Sequence, residues 1–298
     1  MVKNVTVFGA GLMGSGIAQV AAQGGFKVVL SDVTEKALQN GLQIIQKSLG
    51  RVAKKKFVGR EGEMEGYLQG VMGNIQTTTD AGEAVSSADL TIEAIVESLQ
   101  IKRDLFSFLD GKANDTCIFA SNTSSLSIGD MAEACSAERQ ARFGGFHFFN
   151  PVPAMKLVEV IKAQNTSQET FDTLVAVGKQ MGKVPVNCKD TPGFIVGRLL
   201  IPYMLEAVRM AERGDASPQD IDTAMELGAG YPMGPFKLLD VVGLDTTTFI
   251  SNGWREKADR GEIPKALVEK SALLQKLVDE GKLGRKSGQG FHDYSSTS

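Results

Sequence analysis

Residues 2–32 read "VKNVTVFGAGLMGSGIAQVAAQGGFKVVLSD", and their order decides the fold. A run rich in β-branched residues ends in a glycine turn, an Ala- and Gly-rich apolar stretch follows, and a second apolar run, "KVVLS", stops at Asp32. Short β-branched runs bounded by glycine form strands, and the stretch between them has the length and composition of a helix. The segment is one strand–turn–helix–strand unit. Gly9, Gly11 and Gly14 stand in the turn as GxGxxG, with Ala10, Leu12 and Met13 filling the spaces. The first glycine permits the tight turn, the second lets the backbone approach a bound group, and the third lets the helix pack on the strand.

In a chain with 33 glycines this pattern arises easily by chance. Its setting makes it specific, because it follows a strand, opens a helix, and is followed 18 residues after Gly14 by Asp32. A helix N-terminus here offers unpaired N–H groups to a pyrophosphate. The Asp32 carboxylate would accept hydrogen bonds from a ribose diol and repel a 2′-phosphate, which favours NAD over NADP. The expected cofactor-binding residues are therefore Gly9, Ala10, Gly11, Leu12, Met13, Gly14 and Asp32.

Further along, "ALQNGLQIIQKSLGRVAKKKF" has apolar residues at helical spacing, while "NIQTT", "ADLTIEAI" and "TCIFASN" are short β-rich runs between helical segments. The pattern predicts an α/β class, with a Rossmann-like, doubly wound, mostly parallel sheet over residues 1–190. Ligands of such sheets gather at the carboxyl ends of the strands. That makes "EAIVES" (93–98), "SNTSS" (121–125) and "HFFNP" (147–151) candidate lips of one crevice. Each also has a plainer reading, with Glu97 a solvated helix start and the hydroxyls of "SNTSSLS" simple caps.

After "KVPVNCKDTPGFIVGRLL" the strand pattern stops, and residues 191–298 read as an all-helical second domain. Ser217-Pro218 and Gly228 are read as the start and end of one of its helices. The composition, 42% hydrophobic and 22% charged with a net charge of -3 and a pI near 5.6, argues against nucleic acid or an anionic membrane as the main partner. No apolar run is long enough to span a bilayer, so no membrane insertion is expected. Cys117, Cys135 and Cys188 are odd in number and contain no CxxC, which indicates neither a disulfide framework nor a metal cluster. A reducing compartment fits, and the opening "MVKNVTVFGAG" reads as a strand rather than a targeting peptide.

An oxidoreductase acting on an alcohol must take up a hydroxyl proton while hydride leaves the same carbon, and histidine suits that step. The chain has two histidines. His147 ends an apolar strand that should stop at the crevice, and the short return "NPVPAM" leads to "MKLVEVI", which brings Glu159 back towards it. A carboxylate there would fix the imidazole tautomer and stabilise the imidazolium. Absent that geometry, His147 would be a core residue and Glu159 a strand-edge carboxylate. His292, in the tail "GFHDYSSTS", shows no such partner.

Together these residues resemble the L-3-hydroxyacyl-CoA dehydrogenases of fatty-acid β-oxidation. The matching stretches run along the chain in order, from "FGAGLMGSGIAQVAA" through "IEAIVE", "FASNTSSLSI", "FHFFNPVPAMKLVEVI" and "KDTPGFIVGRLL" to "IDTAMELGAGYPMGPFKLLDVVGLD" and "GRKSGQGF". The resemblance implies an NAD domain, a helical domain that forms a homodimer, and reversible oxidation of 3-hydroxyacyl-CoA. It implies His147 as general base, Glu159 as its orienting group and Ser124 as a hydroxyl at substrate and nicotinamide. It adds Glu97, Lys102, Asn150 and Lys286 near the cofactor, and Ser48 and Lys55, in "SLGRVAKKKF", at CoA. It points to the mitochondrial matrix, with the cytosol left open by the strand-like opening.

One position departs. Where the family has "FIVNRLL", with an amide close to the reacting oxygen, this chain has Gly197. Losing a preorganised donor to a developing oxyanion lowers kcat by about 10²- to 10³-fold. Two other readings follow: a non-catalytic NAD-binding dimer of the kind found among lens crystallins, and a dehydrogenase of the same fold acting on a free hydroxy acid or sugar acid.

Overall fold

The computed structural model describes residues 2–295. These form two compact units, one running to Phe194 and the other beginning at Ile195. The first alternates strands and helices: β1 (Asn4–Phe8), α1 (Leu12–Gln23), β2 (Lys27–Ser31), α2 (Glu35–Lys56), α3 (Met64–Met72), β3 (Ile75–Thr78), α4 (Ala81–Ser86), β4 (Leu90–Glu93) and α5 (Leu99–Asp110). It continues with β5 (Ile118–Ser121), α6 (Ile128–Ala132), α7 (Ala137–Gln140), β6 (Phe143–Phe148), β7 (Leu157–Lys162), α8 (Gln168–Gln180) and β8 (Val184–Lys189).

The strands form one eight-stranded sheet in the order β3-β2-β1-β4-β5-β6-β7-β8. Every neighbouring pair is parallel except β6 and β7, which run antiparallel. The order reverses at β1, where the chain steps from one half of the sheet to the other, and ligands of such sheets settle at that switch point. Helices cover both faces and build separate cores. One gathers Val7, Ile17, Leu30, Ile92, Phe146 and Val160, the other Phe106, Phe119, Ile128, Phe143 and Ile161. Alternating residues of a strand point to opposite faces. Parity along the strands therefore puts Glu93, Ser121, His147 and Glu159 on the face of the second core. Phe194 closes that core, which is why the first unit runs a few residues past β8.

The second unit holds α9 (Val196–Glu212), α10 (Pro218–Ala229), α11 (Pro235–Val242), α12 (Leu244–Asp259) and α13 (Ala272–Asp279). They pack around Met204, Leu205, Val208, Phe236, Leu239 and Trp254. Ser217 caps α10 as expected, its hydroxyl accepting from the Asp220 N–H. The expected stop at Gly228 is corrected: the helix runs through it and ends at Gly230, whose φ of 71° supplies the left-handed turn that glycine adopts without a Cβ clash. No helix among the described residues is long and apolar enough to cross a membrane.

Candidate active site

The glycine turn between β1 and α1 fits a dinucleotide. Gly9 has a φ of 103°, and a Cβ on it would sit 2.5 Å from the Ala94 carbonyl oxygen; one on Gly14 would meet the Gly9 oxygen at 1.7 Å. Gly11 differs, since a Cβ there would meet nothing within 4 Å. Two glycines thus let chain segments touch, and the third leaves an open approach to the helix end. Gly11 caps α1 without a side chain, so the N–H groups of the first turn keep their pull on an anion. Leu12 is exposed at the mouth, Met13 is half-buried and Ala10 is buried. Asp32 follows β2, its Oδ2 accepting from the Ala10 N–H and its Oδ1 from the Val33 N–H, both at 2.7 Å. The acidic group expected to read the ribose also pins the glycine turn.

At the end of β6, His147 pairs in register with Glu159 of β7. Glu159 is 0% exposed and His147 8%. His147 Nδ1 lies 2.7 Å from Glu159 Oε2, and His147 Nε2 lies 3.0 Å from Ser124 Oγ. Ser124, His147 and Glu159 therefore stand in one hydrogen-bonded line. Phe149 and Phe194 flank the imidazole with ring centroids 4.5 and 5.8 Å away. A buried carboxylate on one ring nitrogen fixes which tautomer the ring adopts, and apolar neighbours exclude competing water. Phe194 has a φ of 51°, a left-handed conformation that is strained for an aromatic residue and that concentrates at functional sites.

Ser124 sits in a loop organised by Glu97. Glu97 Oε1 accepts from Thr123 Oγ1 at 2.5 Å, from Ser125 Oγ at 3.1 Å and from the Ser124 N–H at 3.2 Å. Burial works to raise its pKa, but the Lys102 charge and the hydrogen bonds from Thr123, Lys102 and Ser125 outweigh burial and hold it below the usual carboxylate value. The capping reading of "SNTSSLS" holds for Ser127, which caps α6, and not for Ser124. Lys102, expected beside the cofactor, is 1% exposed and reaches this loop only through Glu97, at 3.1 Å. Its closer partner is Glu93, at 2.6 Å. Glu93 opens the 93–98 stretch expected at the crevice lip, but the sequence assigns it no role of its own, since an acidic residue at a strand end ordinarily faces water.

The remaining candidates stand on other segments. Asn150 is exposed directly beyond β6. Ser48 and Lys55 lie two turns apart on one side of α2, where Ser48 is half-buried and Lys55 exposed. The adjacent Lys56 lies over the Tyr67 ring, 4.5 Å from its centroid, so the basic run is partly packed. Lys286 belongs to the second unit, where its Nζ is 2.7 Å from Asp245 Oδ2. Gly197 occupies the first turn of α9, where a Cβ would meet only Trp254 at 3.9 Å, so nothing local demands glycine. His292, expected to lack a partner, has one: its Nε2 is 2.7 Å from Asp222 Oδ2. The two lie 70 residues apart in sequence, beyond the reach of local pattern. Among the described residues no three metal-ligating side chains converge.

Comparison with known proteins agrees along the whole length. Residues 4–191 match the 3-hydroxyacyl-CoA dehydrogenase NAD-binding domain, and residues 193–294 match the C-terminal domain of the same family. The chain is 56% identical over 294 residues to the mitochondrial hydroxyacyl-coenzyme A dehydrogenase of Homo sapiens, covering 99% of this chain and 92% of that one. It is 44% identical to a probable 3-hydroxybutyryl-CoA dehydrogenase of Deinococcus radiodurans, over 97% of this chain and 99% of that one. Among solved structures, the (S)-3-hydroxybutyryl-CoA dehydrogenase of Ralstonia eutropha superposes with a TM-score of 0.90 at 37% identity, covering 99% of each chain. With an NAD-binding sheet, a helical second unit and this degree of identity, the chain belongs to the 3-hydroxyacyl-CoA dehydrogenase family.

Proposed function

We propose that this NAD-dependent dehydrogenase interconverts L-3-hydroxyacyl-CoA and 3-oxoacyl-CoA with His147 as the general base, Glu159 as the carboxylate that orients it, and Ser124 as a hydroxyl that holds the substrate oxygen. The observation that carries the reading is the line of two hydrogen bonds, 3.0 Å from Ser124 Oγ to His147 Nε2 and 2.7 Å from His147 Nδ1 to Glu159 Oε2. Glu159 accepts from Nδ1–H and so leaves Nε2 as the basic nitrogen. That nitrogen removes the hydroxyl proton, and Glu159, buried and close, stabilises the resulting imidazolium. Bound NAD supplies the acceptor for hydride. Gly9, Gly11 and Gly14 cradle the pyrophosphate at the α1 N-terminus, while Asp32 takes the ribose diol. Glu97 fixes the loop that presents Ser124, with Lys102 behind it. Asn150 lies on the cofactor side of His147, Lys286 is a cofactor contact by the family resemblance alone, and Ser48 and Lys55 take the CoA.

The first unit serves as the NAD domain and the second as the substrate and dimerisation domain. Leu199, Leu227 and Phe249, on three helices of the second unit, are more than two-thirds exposed, which supports a homodimer formed there. The mitochondrial name of the human relative supports the mitochondrial matrix as the compartment. Gly197 favours one rival reading, an NAD-binding protein that turns over slowly.

The test is NADH oxidation with acetoacetyl-CoA. Wild type turns over; His147→Gln loses at least about 10²-fold in kcat, within the 10²–10⁴-fold that a general acid–base contributes, while NADH binding followed by fluorescence persists. Equal rates in the two proteins would remove His147 from the mechanism. Absence of turnover in wild type with intact NADH binding would favour the slow-turnover reading.

A further inference from the structure

Besides Glu159, the most deeply buried charges of the first unit lie beneath the Ser124 loop, not in it. Glu93 is 0% exposed, and Lys102, one helix away, is 1% exposed. Glu93 Oε1 accepts from Lys102 Nζ at 2.6 Å and from the Ile95 N–H at 2.7 Å, and its Oε2 accepts from Ser121 Oγ at 2.6 Å. Both oxygens are thus engaged by donors from three segments: the β4–α5 turn, α5 and the end of β5. Taking a carboxylate and an ammonium out of water carries a desolvation penalty that a well-packed apolar pair would avoid. A buried pair is therefore weak evidence of a stability role, and what it positions is the better question.

Both arms lead to the same loop. Ser121 Oγ, held by Glu93, accepts from the Thr123 N–H at 3.2 Å. Lys102 Nζ, held by Glu93, lies 3.1 Å from Glu97 Oε2, and Glu97 Oε1 gathers Thr123, Ser124 and Ser125. Ser124 in turn meets His147 Nε2. We infer that Glu93 is a positioning residue for the dehydrogenase reaction: by bracing Lys102 and Ser121 from below, it sets where the Ser124 hydroxyl stands against His147. The inference rests on the roles proposed above for Ser124 and His147. Glu93 touches neither of them, so it acts only through the loop. Partners of this kind, one step behind the reacting groups, typically change activity 10- to 100-fold when removed.

The experiment is a double-mutant cycle between Glu93→Gln and Ser124→Ala, with steady-state kinetics against NADH and acetoacetyl-CoA. Glu93→Gln keeps the side-chain volume, and is expected to lower kcat about 10- to 100-fold while KM for NADH stays within about twofold. Added to Ser124→Ala, it should cost little more, because the group it positions is already gone. Ser121→Ala cuts one arm without touching the ion pair, and should lower kcat by less than Glu93→Gln does. It also serves as the probe should Glu93→Gln fail to fold. Full kcat in a folded Glu93→Gln or in Ser121→Ala would overturn the inference, as would losses that multiply in the double variant. If Ser124→Ala and His147→Gln themselves keep the wild-type rate, the underlying mechanism fails instead.

Discussion

The molecule contains two histidine–carboxylate pairs with the same 2.7 Å spacing, one in each unit, and they differ in what surrounds the pair. At His147 the carboxylate sits on one ring nitrogen and a serine hydroxyl on the other, with aromatic rings on the flanks. At His292 the carboxylate is itself saturated. Asp222 accepts from the N–H groups of Phe236 and Lys237 at the start of α11, at 2.8 and 3.2 Å, as well as from the histidine. The neighbouring Asp240 accepts from the N–H groups of Phe291 and His292, both at 2.9 Å, and from Tyr294 O–H at 3.1 Å. The second pair clasps the C-terminal tail to α10 and α11; the first leaves a reactive nitrogen beside a hydroxyl. Pair geometry alone does not distinguish a catalyst from a clasp. The serine hydroxyl on the remaining ring nitrogen of His147 does.

The largest effect expected from this contrast is on rate. His292→Gln should leave kcat within about twofold while lowering the melting temperature, against the loss of about 10²- to 10⁴-fold expected at His147. A similar loss of kcat in both variants would erase the distinction. Next in size is stability. Asp222→Ala strands two backbone donors and a histidine, and should destabilise the protein by about 3 kcal/mol or more, read by denaturant unfolding. A loss under about 1 kcal/mol, the level of a single net hydrogen bond, would mean that other contacts hold the tail. Gly197→Asn restores a donor type to the first turn of α9, where a Cβ has room. It should raise kcat about tenfold or more, given the 10²–10³ attributed to such donors; an unchanged value means another group already fills that role.

The smallest effect concerns pH. The Glu97 pKa is lowered, so the stability it contributes is fully present above the ordinary value near 4.5 and is lost as pH falls through the lower folded value. Glu97→Gln should therefore flatten the decline of stability below about pH 4.5, the usual glutamate range, in acid unfolding curves. An acid limb identical to wild type would show that the Glu97 charge does not support the loop.

Much of the first unit is legible in its sequence because its determinants are local. The glycine turn, the strand ends and Asp32 lie within one supersecondary unit, and the period-two pattern of the strands fixes which side chains share a face. The Ser124–His147–Glu159 line is half legible: the strand and its return can be read, whereas Ser124 enters from a loop 23 residues away. The partners of Glu93, Lys102 and His292 are not legible: Lys102 is only nine residues from Glu93, but charged residues ordinarily lie on the surface, and Ser121 and Asp222 stand 28 and 70 residues from the groups they meet. The stop at Gly230 rather than Gly228 is a smaller case of the same kind. Either glycine could end the helix, and the backbone chose the one with a left-handed φ.

The antiparallel step between β6 and β7 has a consequence for how the protein tolerates change. His147 and Glu159 face each other as a ladder pair, with Phe146↔Val160 and Phe148↔Val158 on either side. Their separation is set by strand spacing, a property of the backbone. The eight residues from 149 to 156 that join the strands contribute nothing to that distance. Phe149 lies beside the imidazole, and the exposed positions 154–156 can change composition while the His147–Glu159 pair stays in register. A one-residue slip within either strand, by contrast, would turn a partner to the opposite face and abolish the pairing.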